Sequence, residues 1–436
     1  MYILCVFWML QQEADEPKRN LRFAATVLVV YAVHNAWNCW VFLNFTNFGP
    51  AQQLLGVGER EVGLLTTVGF LGILAALLVA TLSSWPRAVL VIGGVLNATA
   101  PMLRYIAVSS GWSHSTRYAC VLASSFLQGN AFGLIGAAPA MLAALQWPER
   151  LRSFVIAVAS LSNYVGGAAG TAAMPVIAGD AASLLRCFRW QAYASVPLGL
   201  GVISWCYLPP IESASRVSLR EELRMCCRRR AALCILGFGL AIGLSLALQG
   251  VLQFILTGCG LSPLEAGVAN TFYQASAALV GLLLSGRVRS PRALPRLVRT
   301  LHVAALASYV ALSVLCAALR RGSVEAAVAL VCASAALGAT LLGLVPFLLQ
   351  LAVHEVGASE MTVSGAVYIV CFAVAAAVTQ LAAILSSHAS LALIGGLLVF
   401  ECVVSLGTLS RWAWPWAAVG GPAAGSTALL TPRHSE

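Results

Sequence analysis

Ala231–Leu256 reads AALCILGFGLAIGLSLALQGVLQFIL, 26 residues without one charged side chain. A helix rises 1.5 Å per residue, so about 20 apolar residues cross the roughly 30 Å of a bilayer's hydrocarbon core. The stretch is long enough to span a membrane and too uniformly apolar to be one face of a soluble helix. It is also not alone. Of the 436 residues, 60 % are hydrophobic and 10 % charged, against about 25 % charged in an ordinary soluble domain. Such a chain cannot cover a water-facing surface. It is expected to be an all-α, polytopic membrane protein, with no room left for a separate soluble domain.

Working outward from that stretch, a window of about 19 residues places spans at Phe23–Phe48, Val62–Leu82, Ala88–Ser109, Tyr118–Leu145, Phe154–Ile177 and Gln191–Leu208. After a polar stretch, six more follow at Ala231–Leu256, Leu264–Leu284, Leu301–Leu319, Val324–Leu351, Met361–Leu385 and Leu391–Leu409. The expected division is a tail over 1–22, a six-helix bundle over 23–208, a basic linker over 209–230, a second six-helix bundle over 231–410 and a tail over 411–436. Twelve transmembrane helices in two six-helix bundles is the organisation of the major facilitator superfamily fold, in which each half is a pair of inverted repeats. If both termini are cytoplasmic, 19 of the 26 Lys and Arg fall on the cytoplasmic side, as the positive-inside bias requires.

The net charge of +10 therefore orients the protein in lipid and does not point to nucleic acid. Most of the 13 cysteines sit in apolar runs, where they act as small hydrophobes. No C-x-x-C pair occurs, and neither a metal nor a cofactor is implied. Met1–Leu10 is apolar but is followed by Glu13, Asp15 and Glu16, unlike a cleavable signal peptide. The linker run REELRMCCRRR, residues 220–230, is compatible with a helix along an anionic leaflet, with Cys226 and Cys227 open to palmitoylation, or with a solvated linker that only sets topology. The sequons at Asn44 and Asn97 fall inside spans and are not expected to be glycosylated.

Polar side chains inside a bilayer cost free energy unless paired, so they are weighed first as sites. On the first helix Trp37, Trp40 and Asn44 recur at spacings of three and four and share a face, with Asn38 a further candidate beside them. Two indoles backed by amides can form part of an aromatic box for an amine, or they can be interfacial tryptophans. Gln128 and Asn130 in the fourth helix, Asn163 and Tyr164 in the fifth, Gln249 and Gln253 in the seventh and Tyr273 in the eighth complete the candidate substrate-binding set. Each by itself also reads as an interhelical hydrogen bond. His34 reads better as a packed neutral imidazole than as a switch. Apart from Arg104, His34 and Glu401, no ionisable group lies deep in a span, so no acidic proton relay is visible. The glycines of the fourth and fifth helices, Gly166 among them, and Pro139 are candidates for packing and bending.

The run Leu96-Asn97-Ala98-Thr99-Ala100-Pro101-Met102-Leu103-Arg104 resembles the "LN...(G/A)..LR" third-helix motif of the feline leukaemia virus subgroup C receptor-related transporters, solute carrier family 49. Asn35-Ala36 resembles that family's "NA..W" start, and Phe48-Gly49-Pro50 its disrupted-in-renal-carcinoma branch. Ala138-Pro139 with Trp147-Pro148-Glu149-Arg150, Leu161 through Gly166, and Leu351 through Glu355 with Glu360 and Ser364-Gly365 are similar to further family segments. The resemblance implies alternating access and substrates such as choline, ethanolamine, pyridoxine or haem. It gives Trp37 or Trp40 the place against an ammonium, and Arg104, Glu149, Arg150 and Glu360 structural or gating roles. The chain departs from the family where glutamines align with Tyr164 and Phe372, and it lacks the acidic residue expected between the second and third helices.

The expectation is a secondary transporter that moves a small organic metabolite through a cavity lined by the first, fourth, fifth, seventh and eighth helices. The alternative is a non-transporting membrane receptor or scaffold that keeps the fold. No H-E-x-x-H, G-x-S-x-G or carboxylate cluster indicates an enzyme. A monomer in the plasma or endolysosomal membrane is expected, with the bilayer and a small-molecule substrate as partners.

Overall fold

A segment that crosses lipid must satisfy its backbone hydrogen bonds within itself, and all regular structure among the described residues is helical. The computed structural model describes residues 21–45, 48–83, 85–136, 138–208, 219–285, 293–318, 323–358 and 360–410. Twelve principal helices follow in order: α1 Leu21–Phe42, α2 Glu59–Leu82, α3 Pro86–Ser109, α4 His114–Gly136, α5 Glu149–Ile177 and α6 Ala181–Gly201, then α7 Arg229–Gly258, α8 Pro263–Ser285, α9 Leu294–Ala318, α10 Val324–Leu337, α11 Glu360–Ile384 and α12 Ser387–Ser410. Short helices at Phe48–Leu55 and Leu219–Cys226 lie between α1 and α2 and in the linker. Most of the expected tails and residues 209–218 of the linker lie outside the described residues.

Ten helices among the described residues are long and apolar enough to cross a membrane. The other two, α1 and α6, do not meet that limit. The sixth span is the clearest correction to the sequence reading. Expected from Gln191, it begins at Ala181, where the Asp180 carboxylate accepts the Ser183 N–H and caps the first turn. Hydropathy passed over this turn because it counts Arg186 and Arg189 as breaks, whereas a capped helix tolerates long cationic side chains near its end.

The fourth and tenth spans are each broken. After α4 the chain resumes as the helix Pro139–Gln146, and after α10 a π-turn at Gly338–Leu342 leads into Val345–Val356, with Pro346 in its first turn. Proline cannot donate to the preceding turn, so it serves better at a helix start than inside one. The two second segments cross between the halves: Pro139–Gln146 reaches α11, and Val345–Val356 reaches α5.

The two bundles also repeat their closest approaches. A methyl group on Gly129 of α4 would lie 1.9 Å from the Gly69 carbonyl oxygen of α2, and one on Gly338, after α10, would lie 1.8 Å from the Tyr273 carbonyl oxygen of α8. Likewise a methyl group on Gly166 of α5 would lie 1.9 Å from the Ala36 carbonyl oxygen of α1, and one on Gly243 of α7 would lie 2.6 Å from the Cys371 carbonyl oxygen of α11. Small residues let backbones approach where lipid supplies no hydrophobic drive between helices. The same two crossings in each half are what an internal repeat produces.

Replacing Gly129 by Ala is expected to lower the stability of the detergent-solubilised protein by about 1–3 kcal/mol through overpacking, read as a drop in Tm. Gly396→Ala, where nothing lies within 4 Å of the added methyl group, is expected to leave Tm unchanged or raise it. Equal behaviour of the two variants would remove the close-approach argument.

Candidate functional site

Between the halves lies a cavity of about 1020 Å³, lined from α1, α2, α4, α5, α7, α8 and α11. Its rim residues, Arg60 and Glu61 at the start of α2, Thr257 near the end of α7 and Gln380 near the end of α11, all lie at helix ends away from the linker. The cavity is therefore associated with the side opposite the linker. On the linker side the broken segments after α4 and α10 bridge the halves, Glu222 of the linker helix accepts from the Thr362 hydroxyl of α11 at 2.5 Å, and Arg230 meets Glu355 at 3.3 Å.

One wall of the cavity rests on an amide hub. Asn97 of α3 donates to the His34 carbonyl at 2.9 Å and faces His34 Nδ1 at 3.2 Å, while its Oδ1 accepts from Asn38 Nδ2 at 2.9 Å and Gln128 Nε2 at 2.8 Å. Asn38 also donates to the Gln128 carbonyl at 3.2 Å. His34 Nε2 lies 2.9 Å from the Leu198 carbonyl, which can only accept, so this nitrogen carries the proton and Nδ1 accepts from Asn97. The hub ties α1, α3, α4 and α6 together and leaves His34 a buried neutral imidazole.

The opposite wall is built where α7 and α8 meet α5. Gln249 donates to Gln274 Oε1 at 2.6 Å, Gln274 donates to the Thr171 hydroxyl at 3.5 Å, and Asn270 donates to the Gln249 carbonyl at 2.9 Å. A methyl group on Gly167 would lie 1.9 Å from Gln274 Oε1. A glycine on α5 thus makes room for a glutamine from the other half. Asn35 donates to the Ala159 carbonyl at 2.9 Å, and Asn163 reaches the Asn35 carbonyl at 3.4 Å, which fastens α1 to α5.

Aromatic rings form the rest of the lining. Phe42 packs on Phe70 with centroids 5.3 Å apart, Phe70 on Phe372 at 6.4 Å and Phe132 on Phe372 at 5.3 Å, edge to face. Tyr368 stacks behind Phe372 at 6.0 Å. Trp37 and Trp40 pair with each other at 6.3 Å and are not among the lining residues. Trp40 instead borders Gly170 of α5 through its backbone.

Charge lies apart from the cavity floor. Arg104, 1 % exposed, donates to the Val41 carbonyl at 3.0 Å and sits over the rings of Phe45 and Phe188 at 4.7 and 5.6 Å, a cation–π pocket that locks α3 to α1 and α6. The sequence reading passed over His302. Its Nε2 lies 2.9 Å from Glu401 Oε1 and its Nδ1 lies 2.8 Å from the Val298 carbonyl, with both side chains buried between α9 and α12. Both ring nitrogens face acceptors, so the pair shares one proton and carries no net charge.

Of the expected substrate-binding residues, Asn38, Asn163, Gln249 and Gln253 line the cavity. Gln128 belongs to the hub, Asn130 donates to the Phe126 carbonyl of its own helix, and Tyr273 donates to the Ser245 carbonyl. Tyr164 is buried without being among the lining residues. Asn44 falls on the 3-10 turn Leu43–Phe45, and its side chain lies outside the described set, as do those of Glu149, Arg150 and Glu360. Pro139 opens the helix after the α4 break, and Gly166 makes the α1–α5 contact. Sequence reading missed α2, α11 and the phenylalanines, because a cavity-facing Phe and a lipid-facing Phe look alike in an apolar run. Gln249 and Gln253, singled out by their four-residue spacing, both line the cavity.

The sequence profile of the Major Facilitator Superfamily matches residues 33–380. Solute carrier family 49 member A3 of Danio rerio is 30 % identical over 260 residues, a match covering 56 % of this chain and 54 % of that relative. The match therefore spans about half the relative's length. The crystal structure of the facilitator-superfamily transporter FucP in the outward conformation superposes with a TM-score of 0.64 at 16 % identity, covering 89 % of this chain and 98 % of that one.

Asn97→Leu strands the donors of Asn38 and Gln128 and the Nδ1 acceptor of His34. It is expected to cost about 1–3 kcal/mol, seen as a Tm drop in detergent. Thr99→Ala, two residues on and exposed, is expected to change Tm little. A tolerated Asn97→Leu would show that the hub does not hold the half-bundle together.

Proposed function

The chain belongs to the Major Facilitator Superfamily, and from that premise we propose that it is a secondary transporter carrying a small organic metabolite by alternating access. The observation that supports this reading is the cavity between the halves, walled from both and associated with only one side. The proposed division is a first bundle over 23–208, a linker over 209–230 and a second bundle over 231–410. Access from the linker side requires the halves to rock until the segments Pro139–Gln146 and Val345–Val356 release α11 and α5. Both ends are taken as cytoplasmic, so the cavity faces the exterior or an organelle lumen, in a plasma or endolysosomal membrane. The protein acts as a monomer.

The resemblance to solute carrier family 49 brings choline, ethanolamine, pyridoxine and haem forward as substrates to test. Asn38, Asn163, Gln249 and Gln253 are the proposed binding residues from the sequence set, joined by Phe70, Phe132 and Phe372. The competing reading, a receptor or scaffold without transport, is supported by the missing acid before α3: Arg87 donates to the Leu208 carbonyl at 3.0 Å.

The test is protein-dependent counterflow of the labelled metabolites in proteoliposomes. Flux for one of them supports transport, and saturable binding without flux supports the receptor. With a transported substrate in hand, Phe70→Ala and Phe132→Ala are each expected to raise KM by about tenfold, roughly the 1–2 kcal/mol of a lost aromatic contact. Trp40→Ala is expected to leave KM within about twofold. A large KM effect at Trp40 with none at the phenylalanines would return the binding role to the indoles.

A further inference from the structure

The turn that joins α7 to α8 is fixed at both ends. Gly260, at φ 107°, closes α7: its N–H donates to the Thr257 carbonyl at 3.0 Å, and the Leu261 N–H donates to the Leu256 carbonyl at 3.2 Å, the paired bonds of a Schellman motif. Ser262 then opens α8 with a capping box, its N–H donating to Glu265 Oε2 at 2.8 Å and its hydroxyl oxygen accepting the Glu265 N–H at 3.3 Å. Cys259, the cap residue of α7, is therefore held in one backbone setting, and its side chain is buried. It lies two residues beyond Thr257, on the side of the protein away from the linker.

Two further contacts bring α9 to the same place. A methyl group on Gly258 would lie 1.8 Å from Ser387 Oγ, so α7 ends against the start of α12. One turn along α12, the Leu391 carbonyl accepts from the Tyr309 hydroxyl of α9 at 2.5 Å. Cys316 stands two turns beyond Tyr309 on the same buried face of α9, close to the end of that helix at Ala318. At 1.5 Å per residue this carries it about 10 Å further from the linker side, toward the end of α7. There the Cys316 and Cys259 thiols hydrogen-bond to each other.

We propose that Cys259 and Cys316 are joined by a disulfide in the mature protein, a staple between the outer ends of α7 and α9. The proposal rests on the reading that the linker side is cytoplasmic, which places both thiols on the exterior or lumenal side, where disulfides form and persist. The oxidant is a disulfide donor, either a dithiol oxidoreductase in its oxidised form or glutathione disulfide. One cysteine thiolate attacks the donor S–S bond and expels a donor thiol, and the other cysteine attacks the mixed disulfide and expels the second. The two cysteines lose two electrons and two protons, and the donor disulfide is reduced to two thiols. Formed while the chain folds, the bond is afterwards buried away from reductants. It closes a loop that contains all of α8, and it lies within the second bundle. It therefore stiffens the rim that carries Gln253 and Thr257 without crossing the seam on which the halves rock.

The test expresses the full chain in eukaryotic cells, dissolves them in denaturant with N-ethylmaleimide to block every free thiol, and then labels with a polyethylene-glycol maleimide before and after dithiothreitol. The wild type is expected to take up two labels after reduction and none before, with peptide mapping joining residues 259 and 316, and Cys259→Ser and Cys316→Ser are each expected to take up none. No label after reduction, or a bridge that survives in both variants, overturns the proposal. Brief oxidation of isolated membranes with copper phenanthroline then separates the causes: thiols free in cells that join at once place the fault in the assumed sidedness, and thiols that fail to join place it in the contact. A second readout needs no variant to fold. Dithiothreitol is expected to lower the Tm of the purified wild type by about 4 °C or more, and an unchanged Tm overturns the staple. Counterflow is read separately. A bond without flux of any metabolite overturns transport alone, and flux with both thiols free overturns the bond alone.

Discussion

Water does not reach the hydrocarbon core of a bilayer, so each buried N–H must find its acceptor inside the protein. That constraint organises both walls of the cavity. Around Asn97 it draws α1, α3 and α4 into one hydrogen-bonded unit, with His34 reaching on to α6. Across the cavity it joins Gln249, Gln274 and Asn270 and carries the chain of bonds over to Thr171 of the other half. Because carbonyl oxygens are the available acceptors between helices, the amide nitrogens of Asn38, Asn163 and Asn270 turn toward them. Single interhelical bonds of this kind contribute only about 0.6 kcal/mol on average. Their collective effect is to fix orientation, which is what a recognition surface needs.

The second requirement is a contact that can be remade. Glycines bring the backbones of α2 and α4, α1 and α5, α7 and α11, and α8 and the turn after α10 together within each half. These contacts make each bundle rigid. Between the bundles the contacts run along α5 with α8 and α2 with α11, and through the two proline-started segments on the linker side. A rigid half on each side of a seam is the arrangement in which rocking, and not internal deformation, opens the far side. The Gln274 amide over Gly167 lies on that seam and accepts from Gln249, which lines the cavity.

Much of the fold could be read from the chain. Eleven of the twelve expected spans start within about eight residues of the observed helices, since a run such as Ala231–Leu256 has only one stable environment. The failures have physical causes. The start of α6 was lost because Arg186 and Arg189 lower a window average while costing little near a helix end. The breaks after α4 and α10 were merged into single spans, since Pro139 and Pro346 sit among apolar neighbours on both sides. His302 was passed over as a residue near the start of a helix, yet it is buried against Glu401. Gln249 and Gln253 were found because a four-residue spacing puts two amides on one face whatever the helix packs against.

Composition, span count and the distribution of arginines settled that this is a two-bundle, all-helical membrane protein, because the free energy of burying a side chain in lipid is local and nearly additive along the chain. The sequence also marked the amides that had to be paired. Tertiary structure alone decided which polar groups hold helices together, as Gln128 and Asn97 do, and which face a cavity, as Asn163 and Asn270 do. It alone recruited phenylalanines from α1, α2, α4 and α11 to one wall. Lipid and a protein cavity both accept a benzyl side chain, so only the rotation and crossing of each helix, set by its glycine contacts, determine which of the two a given ring meets.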